Sequence, residues 1–324
     1  MRAIIPVAGV GSRLRPHTYT LPKVLLNVAG KPILGHILDR LIAEGISAAS
    51  IVVGYLGEMV EEYVRKNYQL DVEFIEQPEL LGLGHSIYLT RHTFTSEPLL
   101  IILGDTIFQV ALGPVIAGQE SSLGVKWVED PRRFGVVETA DGRITRLVEK
   151  PQNPATNLAL VGLYYIANPA LLSECLGQLV EGNPGKQGEY QLTDALQMMI
   201  DRGEPFTTFP VEGWYDCGKP ETLLATNRHL LQQQSSVVAL EGCIINPPVH
   251  IAPGAQVRNS IIGPFATVAE GAMVSNAMIE NSIIGENATV EGVALADSII
   301  GPEAEVKGEP RRVNIGASSE LNLG

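Results

Sequence analysis

Short uninterrupted apolar runs alternate with segments of helical spacing through the first hundred positions of the chain. "AIIPVAG" (3–9) predicts a short, fully buried strand. In "KPILGHILDRLIAEG" (31–45), Ile33, Leu34, Ile37, Leu38, Leu41 and Ile42 recur at helical intervals, with Pro32 suited to a first turn and Gly45 to an end. "SIVVGY" (50–55) predicts a second strand, "GEMVEEYVRKNY" a helix, "VEFIEQ" a strand, "GLGHSIYLTRHTF" a helix and "PLLIILGD" (98–105) a strand. Strands alternating with helices in this way predict an α/β fold, a doubly wound and mostly parallel sheet covered by helices.

Beyond Asp105 the rhythm loosens. Strand-like pieces "LGVKWVE", "FGVVET", "RITRLVEK" and "ALVGLYYI" (159–166) are followed by helices near 169–180, 191–202 and 219–233. The polar stretch "LLQQQSS" (230–236) ends the last helix, which places the first domain at 1–236. From 237 to 308 the texture changes to "IAPGAQV", "IGPFATV", "VAEGAMV", "IGENATV" and "IGPEAEV". Ile251, Val257, Ile262, Val268, Val274, Ile284, Val290, Ile300 and Val306 recur at steps of six mixed with five. No helix face has that period, whereas a solenoid of short flat strands needs one inward aliphatic per side. A short C-terminal left-handed β-helix of about four coils is expected, stabilised by stacking. Residues 309–324 read as a tail.

Composition narrows the function classes. The 324 residues and 45% hydrophobic content suffice for a real core. A formal charge of -13 argues against a nucleic acid polymer, which wants a broad basic face, so any phosphate site is local. Cys175, Cys217 and Cys243 are too few and too scattered for a disulfide framework or a metal knuckle, which points to a reducing cytoplasm. The apolar start is too short for a signal segment, and no run approaches the roughly 18 apolar residues of a membrane span.

The candidate chemistry begins in "VAGVGSRLRPHTYTLPK" (7–23). A glycine-rich turn between strand and helix lets backbone N–H groups point at an anion. The glycine spacing alone fits a plain βα turn equally well, and Leu14 stands where a dinucleotide fingerprint needs its third glycine. What favours a phosphate is the gathering of Arg13, Arg15 and Lys23 on a chain otherwise short of positive charge.

With these residues in view the sequence resembles the nucleoside triphosphate sugar-1-phosphate nucleotidyltransferases, the family of the thymidylyltransferases and UDP-sugar pyrophosphorylases. The resemblance is carried by "AGVGSRLRP", "LPKVLLNVAGKP", "EQPELLGLGHS", "LGD", "FGVVE", "VEKP", "VGLYY", "GEYQLTDAL" and "WYDCGKPE", in the family's order across roughly residues 1–230. The repeat region resembles the C-terminal domain of the longer members. The resemblance implies the nucleotide-diphospho-sugar transferase type of fold. It also implies a reaction in which a sugar 1-phosphate attacks the α-phosphorus of a nucleoside triphosphate in line, with Mg²⁺ assisting and pyrophosphate leaving. Such chemistry rests on positioning and charge neutralisation rather than on a nucleophilic side chain.

Carried over position by position, the resemblance gives Gly9 and Gly11, with Ala8 and Gly104 beside them, to the nucleotide. Arg13 neutralises the leaving pyrophosphate, and Lys23 bridges the α-phosphate and the attacking phosphate. Asp105 and Asp216 hold Mg²⁺. Gln77, Pro78 and Gly82 read the base, since an amide offers both a donor and an acceptor. Gly135, Glu149, Lys150 and Tyr164 hold the sugar and its phosphate, although Glu149 and Lys150 also fit an exposed ion pair. The loop "AGVGSR" lacks the extra glycine position of many thymidylyltransferases and is closer to the uridylyltransferases, whereas "EGWYDCGKPETLLATN" favours the long thymidylyltransferases. The nucleotide is therefore dTTP or UTP, with glucose 1-phosphate or a close sugar as acceptor.

Other readings remain on the residues. His85 is not paired with a nucleophile in any motif and is expected along a helix behind the Gly82 turn, not as a general base. His250, alone among histidines in the repeat region, raises acyl transfer on the β-helix, but the few coils and a single histidine near the domain start weigh against it. A non-catalytic sensor subunit of the same fold is expected to have lost Arg13, Lys23, Asp105 or Asp216, and all four are present. The aliphatic sides of the repeat fit packing between subunits of a homo-oligomer.

Overall fold

The computed structural model describes residues 1–182, 188–234, 239–309, 314–318 and 320. The expected domain boundary at 236 lies outside the described residues, as do 310–313, 319 and 321–324 of the expected tail. Contacts divide the chain into two units. One holds Met1–Leu26 and Lys31–Thr226, the other Asn27–Gly30 and Asn227–Gly324.

The first unit opens with β1 (Arg2–Pro6), α1 (Ile33–Ala43), β2 (Ala48–Val53), α2 (Gly57–Asn67), β3 (Asp71–Glu76), α3 (Leu83–Leu89) and β4 (Leu99–Ile102). It continues with β5 (Thr106–Gln109), α4 (Leu112–Ile116), β6 (Ser121–Trp127), β7 (Gly135–Ala140), β8 (Arg143–Glu149) and β9 (Leu158–Ile166). α5 (Pro169–Glu181), α6 (Leu192–Asp201), β10 (Phe206–Pro210), β11 (Gly213–Asp216) and α7 (Pro220–Gln232) complete it, the last helix running on into the second unit. The main sheet has nine strands, ordered β8-β7-β9-β4-β1-β2-β3, with β6 pairing both β9 and β10. It is parallel across β4, β1, β2 and β3 and turns antiparallel where β9 joins β4.

The aliphatic strands form because both faces are covered: Ile4, Ile5, Ile51, Val52, Leu100 and Ile101 have no exposed surface. α1 buries Ile33, Leu34, Ile37, Leu38 and Leu41 of the stripe its spacing predicts, whereas Ile42, in the same pattern, is exposed. It stops at a left-handed Gly45 (φ 78°), where Gly45 N–H donates to Ile42 O at 2.9 Å and Ile46 N–H to Leu41 O at 2.9 Å. The helix expected over 82–94 is shorter. α3 ends at Leu89 because the Thr90 hydroxyl donates to the Ile87 carbonyl at 2.7 Å, and a 3-10 turn, Arg91–Thr93, follows. β5, β10 and β11 are short strands that the apolar pattern did not mark. β5 and β11 form a separate antiparallel pair that sets Asp216 opposite Thr106.

The second unit is a triangular stack. Three four-stranded parallel sheets are built from two- and three-residue strands between Ile244 and Lys307. The registers Val257↔Val274↔Val290↔Val306 and Val268↔Ile284↔Ile300 are the expected ladders of the β-helix. A third ladder, Ile262↔Ile279↔Leu295, includes two residues absent from the repeat expected. Asn259, Asn276, Asn281 and Asn287 take positive φ at the bends, which asparagine tolerates at low cost. Fully buried Asn227 ties residues 27–30 into this unit. Its Oδ1 accepts from Ala29 N–H at 2.8 Å and from the Thr267 hydroxyl at 2.7 Å, while Nδ2 donates to Phe265 O at 3.2 Å.

Candidate functional site

Parallel strands β1, β3 and β4 release their C-terminal ends into one cleft of about 510 Å³, within the roughly 300–1,000 Å³ usual for small-molecule sites. After β1, Val7 N–H is held by Val52 O at 2.8 Å and the chain turns through Ala8, Gly9 and Gly11 along the cleft wall. Gly11 is left-handed (φ 67°), and a Cβ there would stand 3.0 Å from Lys23 Cβ, so a side chain is disfavoured on both counts. The Thr18 hydroxyl donates to Gly11 O at 2.9 Å and fixes the turn. Gly9 has open space above it, which leaves its backbone accessible to a ligand.

Arg13, exposed on the 3-10 turn Ser12–Leu14, reaches into the cleft, whereas Lys23 is only 8% exposed. The Lys23 ammonium stands 2.6 Å from Asp105 Oδ2. Burial pushes the Asp105 carboxyl up, but Lys23 and the Thr106 hydroxyl outweigh it and hold the pKa below its ordinary value. Asp105 is brought here by a close crossing: a Cβ on Gly104 would stand 2.3 Å from Val7 Cγ1, and Gly104 N–H donates to Pro6 O at 3.3 Å.

Asp216 does not line the cleft, but Cys217 N–H donates to Asp105 O at 3.0 Å, so the two acidic residues lie on adjacent backbone. Asp216 Oδ1 accepts from Gly218 N–H at 2.9 Å, and the space over Gly218 is shared by Asp216 Oδ1 and an Arg13 guanidinium nitrogen. Two carboxylates, hard oxygen donors, suit a divalent cation that completes its shell with substrate phosphates and water. Among the described residues no group of three or more His, Cys, Asp or Glu side chains gathers into an all-protein metal cage.

Also in the cleft wall, Gln77 follows β3 and Gly82 precedes α3. Gly82 has φ 98°, and a Cβ there would stand 2.7 Å from the Tyr190 carbonyl oxygen. Glu149 ends β8 with its Oε2 accepting from the Thr193 hydroxyl at 2.7 Å, and Lys150 Nζ lies 3.5 Å from its Oε1. Gly135 is the register partner of Glu149, and a Cβ on it would stand 3.1 Å from the Glu149 carboxylate.

Of the residues singled out in the sequence, Ala8, Gly9, Gly11, Arg13, Lys23, Gln77, Gly82, Asp105, Glu149 and Lys150 line this cleft together. Pro78, Gly104, Gly135, Tyr164 and Asp216 are not in its wall. Tyr164 is 5% exposed inside the core cluster, where burial and the Glu149 carboxylate raise its pKa. Ser12, Ser86, Glu189 and Gln191 also line the cleft and were not singled out. Glu189 and Gln191 lie inside the quoted "GEYQLTDAL", whose order was legible although the role of each residue was not.

Comparison with known proteins adds to this geometry. A family model described as nucleotidyl transferase matches residues 2–233. The chain is 31% identical over 316 residues to the low-salt glycan biosynthesis nucleotidyltransferase Agl11 of Haloferax volcanii, covering 88% of this chain and 87% of that protein. It is 32% identical over 313 residues to a glucose-1-phosphate thymidylyltransferase of Streptomyces griseus, again covering 88% and 87%. A crystal structure of UDP-glucose pyrophosphorylase complexed with UDP-glucose superposes with a TM-score of 0.63 at 26% identity, covering 72% of this chain and 99% of that one.

Proposed function

The chain belongs to the nucleotidyl transferase family, and we propose that it transfers the nucleotidyl group of dTTP to glucose 1-phosphate, giving dTDP-glucose and pyrophosphate. The name of the Streptomyces griseus relative supports that substrate pair. UTP is the second reading, favoured by the likeness to a UDP-glucose pyrophosphorylase. The observation that carries the reaction class is the convergence of the Gly9–Gly11 turn, Arg13, Lys23, Asp105, Glu149 and Lys150 in one cleft.

In this reading a phosphate oxygen of the sugar 1-phosphate forms a bond to the α-phosphorus while the bond from that phosphorus to the β-phosphate oxygen breaks. The backbone of Gly9 and Gly11 holds the triphosphate, because neither position carries a side chain that would intervene. Arg13 neutralises charge building on the departing pyrophosphate. Lys23, already directed inward by its pairing with Asp105, draws the two reacting phosphates together. A unit charge pair at about 4 Å is worth roughly 4 kcal/mol at an effective dielectric of 20, so a few such cations supply much of the rate. Glu149 accepts from sugar hydroxyls in an orientation fixed by Thr193. Sugar nucleotidyltransferases depend in general on a divalent metal, which we take to be Mg²⁺ held by Asp105 and Asp216. The ion neutralises phosphate charge when bound.

The test is pyrophosphate release with Mg²⁺ across dTTP, UTP, CTP, ATP and GTP, each against glucose, N-acetylglucosamine, galactose and mannose 1-phosphates. Release is expected with dTTP and glucose 1-phosphate above every other pair. A maximum with UTP establishes the second reading, and no release from folded protein replaces both with a sensor subunit.

A further inference from the structure

Gln77 is 5% exposed, and its backbone N–H is pinned by Val53 O at 2.8 Å. The side-chain Nε2 stands 3.3 Å from the Gly82 carbonyl oxygen and 3.2 Å from Nδ1 of His85. A carbonyl oxygen accepts and never donates, and this one already takes the helical bond from Ser86 N–H at 3.1 Å. The amide therefore has to present nitrogen, not oxygen, to it, so chemistry fixes which way the amide points. The second amide hydrogen then goes to His85, whose Nδ1 is the bare nitrogen with its ring hydrogen on Nε2. Burial pushes the His85 pKa down against the opposing pull of Glu79, which keeps the ring neutral and Nδ1 able to accept. The ring is further placed by Tyr190, 6.4 Å away between centroids at a tilt of 32°. The Tyr190 backbone is itself bonded on both sides, to Gly84 N–H at 2.7 Å and to Leu81 O at 2.8 Å.

We propose that His85 is a positioning residue for base choice: together with the Gly82 carbonyl it holds Gln77 Nε2 and so leaves the amide oxygen as the atom offered to the cleft. The site then takes a base whose pairing edge presents a ring N–H, as in uracil and thymine. It rejects cytosine, whose corresponding ring nitrogen is an acceptor, because two acceptors are left facing each other without a proton. The inference rests on the reading of Gln77 as the base contact. It makes the His85 hydrogen bond, which takes the second amide hydrogen beside the Gly82 carbonyl, a contributor to discrimination together with the glutamine.

The test uses the full chain with His85→Phe, which keeps a ring against Tyr190 but has no acceptor, and His85→Asn, whose Oδ1 can take the place of Nδ1. KM and kcat are measured with dTTP, UTP and CTP, and equilibrium binding of UTP and CTP is measured by calorimetry so that a slow variant still reports. In His85→Phe the preference over CTP is expected to fall about tenfold, mostly through KM, and His85→Asn is expected to restore most of it. If His85→Phe does not fold, His85→Gln, polar but reaching past the Nδ1 position, carries the same comparison. An unchanged preference in the His85 variants, with the preference lost in Gln77→Leu, overturns the positioning role alone. An unchanged preference in Gln77→Leu overturns the base contact and this inference with it. A loss of kcat equal for all three nucleotides in His85→Phe marks a merely structural residue and also overturns the proposal.

Discussion

The two units bury their side chains by different rules. In the first, the wall of the cleft is made of residues that each occur once: a left-handed glycine under Lys23, a carboxylate against an ammonium, an amide between a carbonyl and an imidazole. In the second, buried aliphatics stack on others of their kind along the ladders, as Ile279 does between Ile262 and Leu295. A unique contact places charge where a reaction needs it, and its loss is felt as function. A repeated contact spreads stability over neighbouring coils, and its loss is felt as folding.

The sharpest way to break this contrast is Asp105→Asn, which keeps size and removes the charge paired with Lys23. Turnover is expected to fall at least about a hundredfold in a pyrophosphate-release assay, with the thermal midpoint moving far less. Equal losses in turnover and stability would make Asp105 a structural residue like those of the coils.

The converse substitution is Ile279→Ala in the stack, where the side chain is fully buried. A loss of about 2–5 kcal/mol is expected in urea unfolding followed by circular dichroism, with turnover per folded molecule retained. Turnover falling in step with Asp105→Asn would erase the distinction between the units.

The smallest effect sharpens the comparison by pH. His250 packs over Gly30 inside the second unit, and burial holds its pKa below the ordinary 6.5. Its folded form resists protonation while the unfolded chain does not, so its contribution is complete above pH 6.5 and lost as pH falls toward the folded value. Thermal midpoints measured from pH 8 to pH 5 should decline, and His250→Phe should flatten that decline.

The pattern of apolar runs determined the alternating βα units, most of the buried face of α1 and two of the three ladders, because period and burial are properties of neighbouring positions in the chain. The order of short motifs also singled out Gly9, Gly11, Gly82, Arg13, Lys23, Asp105, Glu149 and Lys150, which line the cleft, and equally Gly104, Gly135 and Asp216, which do not. Only the tertiary structure decided what lies far apart in sequence: that β9 joins the sheet antiparallel, that residues 27–30 pack with the coils through Asn227, and that Tyr164 faces the core beside Glu149. Position 85 shows the difference most plainly. The sequence places a histidine on a helix behind a glycine turn, whereas its bond to Gln77 exists because β3 and α3 meet across a loop anchored at Tyr190. Hydrogen bonds of that kind depend on distances set by packing, and local spacing along a chain carries no record of them.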